Sequence, residues 1–373
     1  MPRRRLRSRF CRGSAPRRAC QHPTTGAALG SGWIRVSGNL EGDGRMDSTD
    51  GGRPAAFGRF VARAGEGRNS LPRIIFGSLL VVAVWFSGTL ALIAGAAYAS
   101  TLAMLPDWIG SFGADPLEGL RNSRIGMAVG ILTLAAIWPG VWLALRFLHR
   151  RRLDTLYGAE GRLAWGDFTR AALVTLAVAV AVSLVNLFYE PSVERSSLPL
   201  STWLALLPAM AVILLLQTSA EEILFRGYLL QSLAHRFRSP WIWAMAPTLL
   251  FALAHLAPGA RPWMGALIVF AIALFALAAV ALVWATGNLG AAMGMHFANN
   301  LVALLFLANG TDATALSLFI MPPIEDQGWT LGDALAGGLQ QIAMIVAILG
   351  LLLSRRSPVR LRDASRPARS GDG

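Results

Sequence analysis

Residues 203–230 read WLALLPAMAVILLLQTSAEEILFRGYLL. Residues 203–220 are almost wholly apolar, and Glu221, Glu222 and Arg226 follow with no break in helical character. About 20 residues of helix cross a bilayer. The stretch therefore reads as a transmembrane helix that carries two carboxylates and a guanidinium into or beside hydrocarbon. A charge at the bilayer centre costs roughly 2.5–3.5 kcal/mol on insertion scales, so such groups mark a site by default. His255, and then His296 with Asn300, lie in or beside two further apolar stretches.

Working outward, apolar runs occur near 74–98, 125–145, 171–189, 203–220, 241–256, 263–285, 291–308 and 339–354. The chain is 54% hydrophobic and 15% charged, with mean hydropathy +0.50. Soluble domains carry about 25% charged residues, so a soluble class is excluded. The expected fold is all-α: a polytopic membrane helical bundle of about eight transmembrane helices. Strands are not indicated.

The basic residues are all arginines, and the formal net charge is +13. With the N-terminus placed inside, 20 arginines fall in 53–73, 146–170, 226–240, 286–290 and the tail from 355. Only 4 fall in 99–124, 190–202, 257–262 and 309–338. This is the positive-inside bias. It predicts both termini cytoplasmic in an inner (plasma) membrane of bacterial type. Trp108, Trp203, Trp241, Trp263 and Trp329 lie at or near span ends, as interfacial tryptophans do. No aromatic-basic stripe accompanies the charge, so nucleic acid is not an expected partner.

Residues 1–73 are rich in Arg, Gly, Ser and Pro and lack apolar periodicity, so they read as a disordered basic segment. Met46 is the expected true start. Transmembrane helices over 74–198 and a catalytic core over 199–354 follow, with a basic tail over 355–373. Cys11 and Cys20 both lie in the N-terminal segment, so no disulfide forms within the bundle.

Glu222 and Arg226 are four apart and share a helix face, which suits an ion pair. Glu221 points about 100° away and is left without a local cation, as a general base would be. The bland alternative places both glutamates at a helix end on the cytoplasmic surface. Phe251 and His255 form a second i,i+4 pair, where a lone histidine near a helix end is the competing reading. His296 and Asn300 form the third, just after Gly294. They suit the stabilisation of a developing oxyanion, or simply hold helices together. His22, His149 and His235 lie near arginines and read as solvated.

A carboxylate, two imidazoles and an amide can activate water for peptide hydrolysis. They could equally ligate zinc, although His-Glu-x-x-His is absent. No nucleophile-elbow serine, bundle cysteine or intramembrane aspartate offers another route.

The ordered pattern Glu221-Glu222-x-x-x-Arg226, Phe251-x-x-x-His255 and His296-x-x-x-Asn300 resembles the three motifs of the CPBP family. That family includes type II CAAX prenyl endopeptidases and bacterial Abi-type relatives. The resemblance covers roughly 200–309. It implies that Glu221 is the general base, that Glu222 and Arg226 support it as an ion pair, that His255 shares or orients the water, and that His296 and Asn300 form the oxyanion hole. It implies an intramembrane endopeptidase acting on a peptide or protein substrate, including membrane-anchored ones, within membrane lipid. It leaves a metal-free, glutamate-dependent mechanism and a metal-dependent one both open. Zinc is the ion that Glu221, His255 and His296 would take. Two alternatives stay open: a non-enzymatic Abi-like immunity or scaffold protein, and a transporter, which the lack of internal repeats disfavours.

Overall fold

The computed structural model of the chain describes residues 53–102, 123–256, 262–309, 314–321 and 330–361. These residues form a helical polytopic bundle. Its helices are α1 (Ala55–Ala62), α2 (Leu71–Leu102), α3 (Arg124–His149), α4 (Trp165–Tyr189), α5 (Leu200–Arg236), α6 (Trp241–Leu253), α7 (Pro262–Thr286), α8 (Gly290–Phe306) and α9 (Leu331–Leu353). Six of them are long and apolar enough to cross a membrane: α2, α3, α4, α5, α7 and α9. The shorter α6 and α8 are apolar too. Every expected apolar run thus appears as a helix. The last helix begins earlier than hydropathy suggests, because Thr330 and Asp333 form a reciprocal capping box at its start.

Loops expected on one side meet at one end of the bundle. The Arg68 amide donates to the His149 carbonyl at 2.7 Å, and the Leu289 amide to the Tyr157 carbonyl at 2.9 Å. Asn288 bridges two helix starts there. Its Oδ1 accepts from the Ala164 amide at 3.0 Å and the Gly290 amide at 2.9 Å. Gly287, with φ +62°, makes this turn where a Cβ would meet the Ala56 backbone.

The expectation of a disordered 1–73 is corrected for residues 53–73. Phe57, Phe60 and Val61 of α1 are buried. Their i,i+3,i+4 spacing gives a short apolar face, too brief to show against the surrounding Arg and Gly. Phe57 packs its ring 4.8 Å from Trp284 and 5.2 Å from Trp243. Arg53 donates to the Ala234 and Phe237 carbonyls, and Asn69 to the Ser232 carbonyl. Residues 1–52 and 362–373 lie outside the described residues, as do His22, Cys11, Cys20, Met46, Trp108 and Trp329.

His149 is the second correction. It is 1% exposed, not solvated. Its Nδ1 lies 2.9 Å from the Arg68 carbonyl and its Nε2 2.8 Å from the Tyr228 hydroxyl. A buried imidazole is tolerated when both nitrogens are paired, and these partners arrive from segments remote in sequence. His235 is exposed, as expected.

Strands do occur. At the opposite end, β1 (Glu194–Arg195), β2 (Leu307–Asn309) and β3 (Phe319–Met321) form a small sheet in the order β1-β3-β2. β3 pairs antiparallel with β1 and parallel with β2. Strands of two or three residues carry too little alternation to be read from sequence.

Candidate active site

The helix that opens the sequence reading runs through its glutamates. α5 is α-helical to Glu222, π-helical over Ile223–Leu230, and α-helical again to Arg236. The wider π turns insert extra residues per turn and are frequent at functional sites. Here Arg226, Gly227, Tyr228, Leu229 and Leu230 are buried in succession. Arg226 is thereby aimed inward together with the glutamates.

Glu222 is fully buried and holds the centre of a hydrogen-bonded set. Arg226 Nη1 donates to Glu222 Oε1 at 2.8 Å. His296 Nδ1 lies 2.9 Å from the same oxygen. Arg226 Nη2 donates to the Ala276 carbonyl of α7 at 3.2 Å, and its guanidinium lies 4.7 Å from the Phe251 ring centre. The expected Glu222–Arg226 ion pair is present, with both partners desolvated and hydrogen-bonded, the condition under which a buried pair holds.

His296 stands between the two glutamates. A carboxylate only accepts hydrogen bonds, so the Nδ1 facing Glu222 carries the proton. The other nitrogen, Nε2, lies 3.4 Å from Glu221 Oε2. That contact is within ion-pair range, but Glu221 Oε2 has no hydrogen-bond partner among the described residues. In a neutral imidazole Nε2 is an acceptor. With the imidazole neutral, Glu221 Oε2 and His296 Nε2 are two acceptors side by side, with Glu221 5% and His296 2% exposed.

The backbone explains how His296 arrives there. α8 packs tightly on α4, and a Cβ on Gly294 would collide with the Phe168 carbonyl. Glycine lets the two backbones touch, and His296 follows two residues later. Phe251 and Phe275 close edge-on around the imidazole at 5.8 and 5.4 Å between ring centres.

Asn300 lies one turn beyond His296. Its Nδ2 donates to Gln217 Oε1 at 3.1 Å, and its Oδ1 accepts from Asn299 Nδ2 at 3.2 Å. This leaves one Nδ2 hydrogen without a described acceptor. Gln217 and Asn299 were not singled out from sequence. Gln217 carried a signal, since it stands four residues before Glu221 and shares its face.

Among the described residues, no hydrogen bond or ion pair joins His255 to the glutamates. It lies in the turn after α6, is exposed, and its Nδ1 is 2.8 Å from the Phe251 carbonyl. There it satisfies a carbonyl at the helix C-terminus. Its ring centre lies 4.6 Å from that of Phe251, which also contacts Arg226 and His296.

Among the described residues, no group of three or more His, Cys, Asp and Glu side chains could hold a metal ion. Glu221 and His296 supply two donors side by side, and His255, whose Nδ1 is engaged by the Phe251 carbonyl, does not join them as a third.

Residues 202–302 match the family model described as type II CAAX prenyl endopeptidase Rce1-like. Over this stretch the chain is similar to the Rce1-like family. The Rce1-like stretch contains every side chain of the cluster, from Gln217 to Asn300. A relative, the uncharacterized protein YyaK of Bacillus subtilis (strain 168), is 29% identical over 252 residues, 65% of this chain and 80% of its own length. No solved structure matches the chain. The Rce1-like match and the apolar helices together support an integral membrane protein of CAAX-protease-like endopeptidase type.

Proposed function

We propose that the chain is an intramembrane endopeptidase in which Glu221 and His296 activate water against a peptide bond. The observation that carries this reading is the pair of acceptors, Glu221 Oε2 and His296 Nε2, 3.4 Å apart. Two neighbouring acceptors are matched by one water that donates a hydrogen to each. Glu222 Oε2 is unpartnered too, but the Arg226 guanidinium and His296 Nδ1 both bind its Oε1 and weaken that carboxylate as a base, so the role falls to Glu221.

In the proposed reaction the water oxygen bonds to the carbonyl carbon, and its proton passes to Glu221. The second proton remains directed at His296 Nε2. The carbonyl oxygen becomes an oxyanion, which accepts from the spare Nδ2 hydrogen of Asn300. The C–N bond then breaks, and Glu221 returns the proton to the leaving amine. Donors fixed before charge develops are worth far more in a dry site than in water. His296 departs here from the role implied by resemblance. With Nδ1–H committed to Glu222, its free nitrogen accepts, so the oxyanion falls to Asn300. His255, exposed beyond Phe251, orients the approaching peptide. No step runs through a metal.

Substrate is a peptide or protein, including one anchored in the same membrane. The arginine-rich end is proposed to face the cytoplasm of a bacterial-type inner membrane, which places both termini there. The test is cleavage of membrane-anchored peptides by purified protein in proteoliposomes, with bound metal measured on the same sample. Glu221→Gln should reduce turnover by about 10²–10⁴-fold, the contribution of a general base, with the melting curve unchanged. Retention of wild-type turnover in that variant refutes the mechanism. Loss of activity on removing a stoichiometric metal refutes the metal-free form.

A further inference from the structure

A cavity of about 410 Å³ opens at the arginine-rich end, between the start of α6 and the last turns of α7. None of the catalytic candidates lines it. Its mouth carries Arg53 and Arg238, and its wall is Leu277, Val280, Ala281 and Trp284. Those four wall residues recur at i, i+3, i+4 and i+7, so they form one stripe along about 10 Å of helix.

The charged rim is built into place. Arg53 Nη1 donates to the Ala234 carbonyl at 3.1 Å and Nη2 to the Phe237 carbonyl at 3.0 Å. Its guanidinium lies 5.7 Å from the Trp243 ring centre. Trp243 Nε1 donates to the Arg238 carbonyl at 3.3 Å, fixing the backbone that presents the second arginine. The Trp243 and Trp284 rings stack with an interplanar angle of 1° and centres 5.6 Å apart. Arg238 itself is exposed.

We infer that this cavity binds one anionic phospholipid, its phosphate between Arg53 and Arg238 and an acyl chain along the α7 stripe. The amphiphile is specified by the two halves of the cavity. Guanidinium groups pair with phosphate oxygens, whereas a free phosphate has no use for an apolar wall set in a membrane-spanning helix. Basic pockets between helices on the positive side of a membrane protein hold lipid head groups in this way, and paired tryptophans belong at head-group depth. Both charged residues lining the cavity, Arg53 and Arg238, are cationic, so charge complementarity favours an anionic over a zwitterionic head group.

The test uses the purified full chain in detergent micelles. Phosphatidylglycerol, phosphatidylcholine and inorganic phosphate are titrated, and retained lipid is counted by native mass spectrometry. Phosphatidylglycerol should be retained at least about fivefold better than phosphatidylcholine. Arg238→Gln should lower its retention about fivefold, the scale of one arginine at an anionic surface. Val280→Trp fills the stripe without altering charge and should remove the preference. Arg356→Gln, at an exposed position outside the cavity, should leave it intact. Equal retention of the two lipids overturns the inference. So does an equal loss in Arg356→Gln, unchanged retention in both cavity variants, or displacement of phosphatidylglycerol by equimolar phosphate, which would mark a free-anion site.

Discussion

Arg226→Gln tests the buried charge pair on which the site is built. Arg226 is 2% exposed and Glu222 is fully buried. The substitution removes the 2.8 Å bond to Glu222 and the 3.2 Å bond to the Ala276 carbonyl. Glu222 Oε2 already lacks a hydrogen bond, so its carboxylate would be left with His296 alone. Removing one partner of a buried pair costs about 3–5 kcal/mol. Loss of the guanidinium from the Phe251 ring adds up to about 2 kcal/mol for a desolvated contact. Glu222→Gln should be similarly harmful, because it strands the cation instead. The double variant, Glu222→Gln with Arg226→Gln, buries no unpaired charge and should lose clearly less than the two singles added. A coupling of about 2–3 kcal/mol is expected for groups within one network. Unfolding of the micellar protein by sodium dodecyl sulfate titration measures all four corners of the cycle. If each single variant loses under about 1 kcal/mol, or the singles simply add, the pair is not desolvated and the reasoning fails.

Three further outcomes are expected. Gly294→Ala forces α8 away from the Phe168 carbonyl; displacement of His296 by about 1 Å should lower kcat on the order of 10²-fold, read by peptide turnover with the melting temperature monitored alongside. Gln217→Leu strips the 3.1 Å acceptor from Asn300 Nδ2 and lets the oxyanion donor wander, so kcat should fall about tenfold while KM stays within about twofold, a split that a loss of substrate binding would not produce. Tyr228→Phe leaves buried His149 Nε2 without its 2.8 Å partner, which should reduce stability by about 1–3 kcal/mol with turnover per folded molecule unchanged; a drop in turnover would instead connect that pair to catalysis.

Much of the fold was legible because membrane helices are long, apolar and flanked by biased charge. Each of the eight apolar runs became a helix, and segments 53–73, 146–170, 226–240 and 286–290 are joined by hydrogen bonds. What escaped detection was short. α1 has eight residues, and its strength lies in Phe57 meeting two tryptophans from distant helices, a contact no local window contains. His149 was misread for the same reason: arginines beside it in sequence said solvent, while Arg68 and Tyr228 in space said core.

The site divides similarly. Ionisable groups inside apolar runs are costly wherever they occur, so the chain alone singled out Glu221, Glu222, Arg226, His255, His296 and Asn300 as candidates. The i,i+4 geometry of one helix also determined that Arg226 would neutralise Glu222. Only the tertiary structure decided that His296 spans 74 residues of sequence to bond Glu222 with one nitrogen and face Glu221 with the other. It alone decided that Gln217 holds Asn300 and that His255 turns to its own helix end. Local periodicity sets which face a side chain takes, but partners across helices depend on crossing distance, and a missing Cβ at Gly294 sets that distance where α8 meets α4.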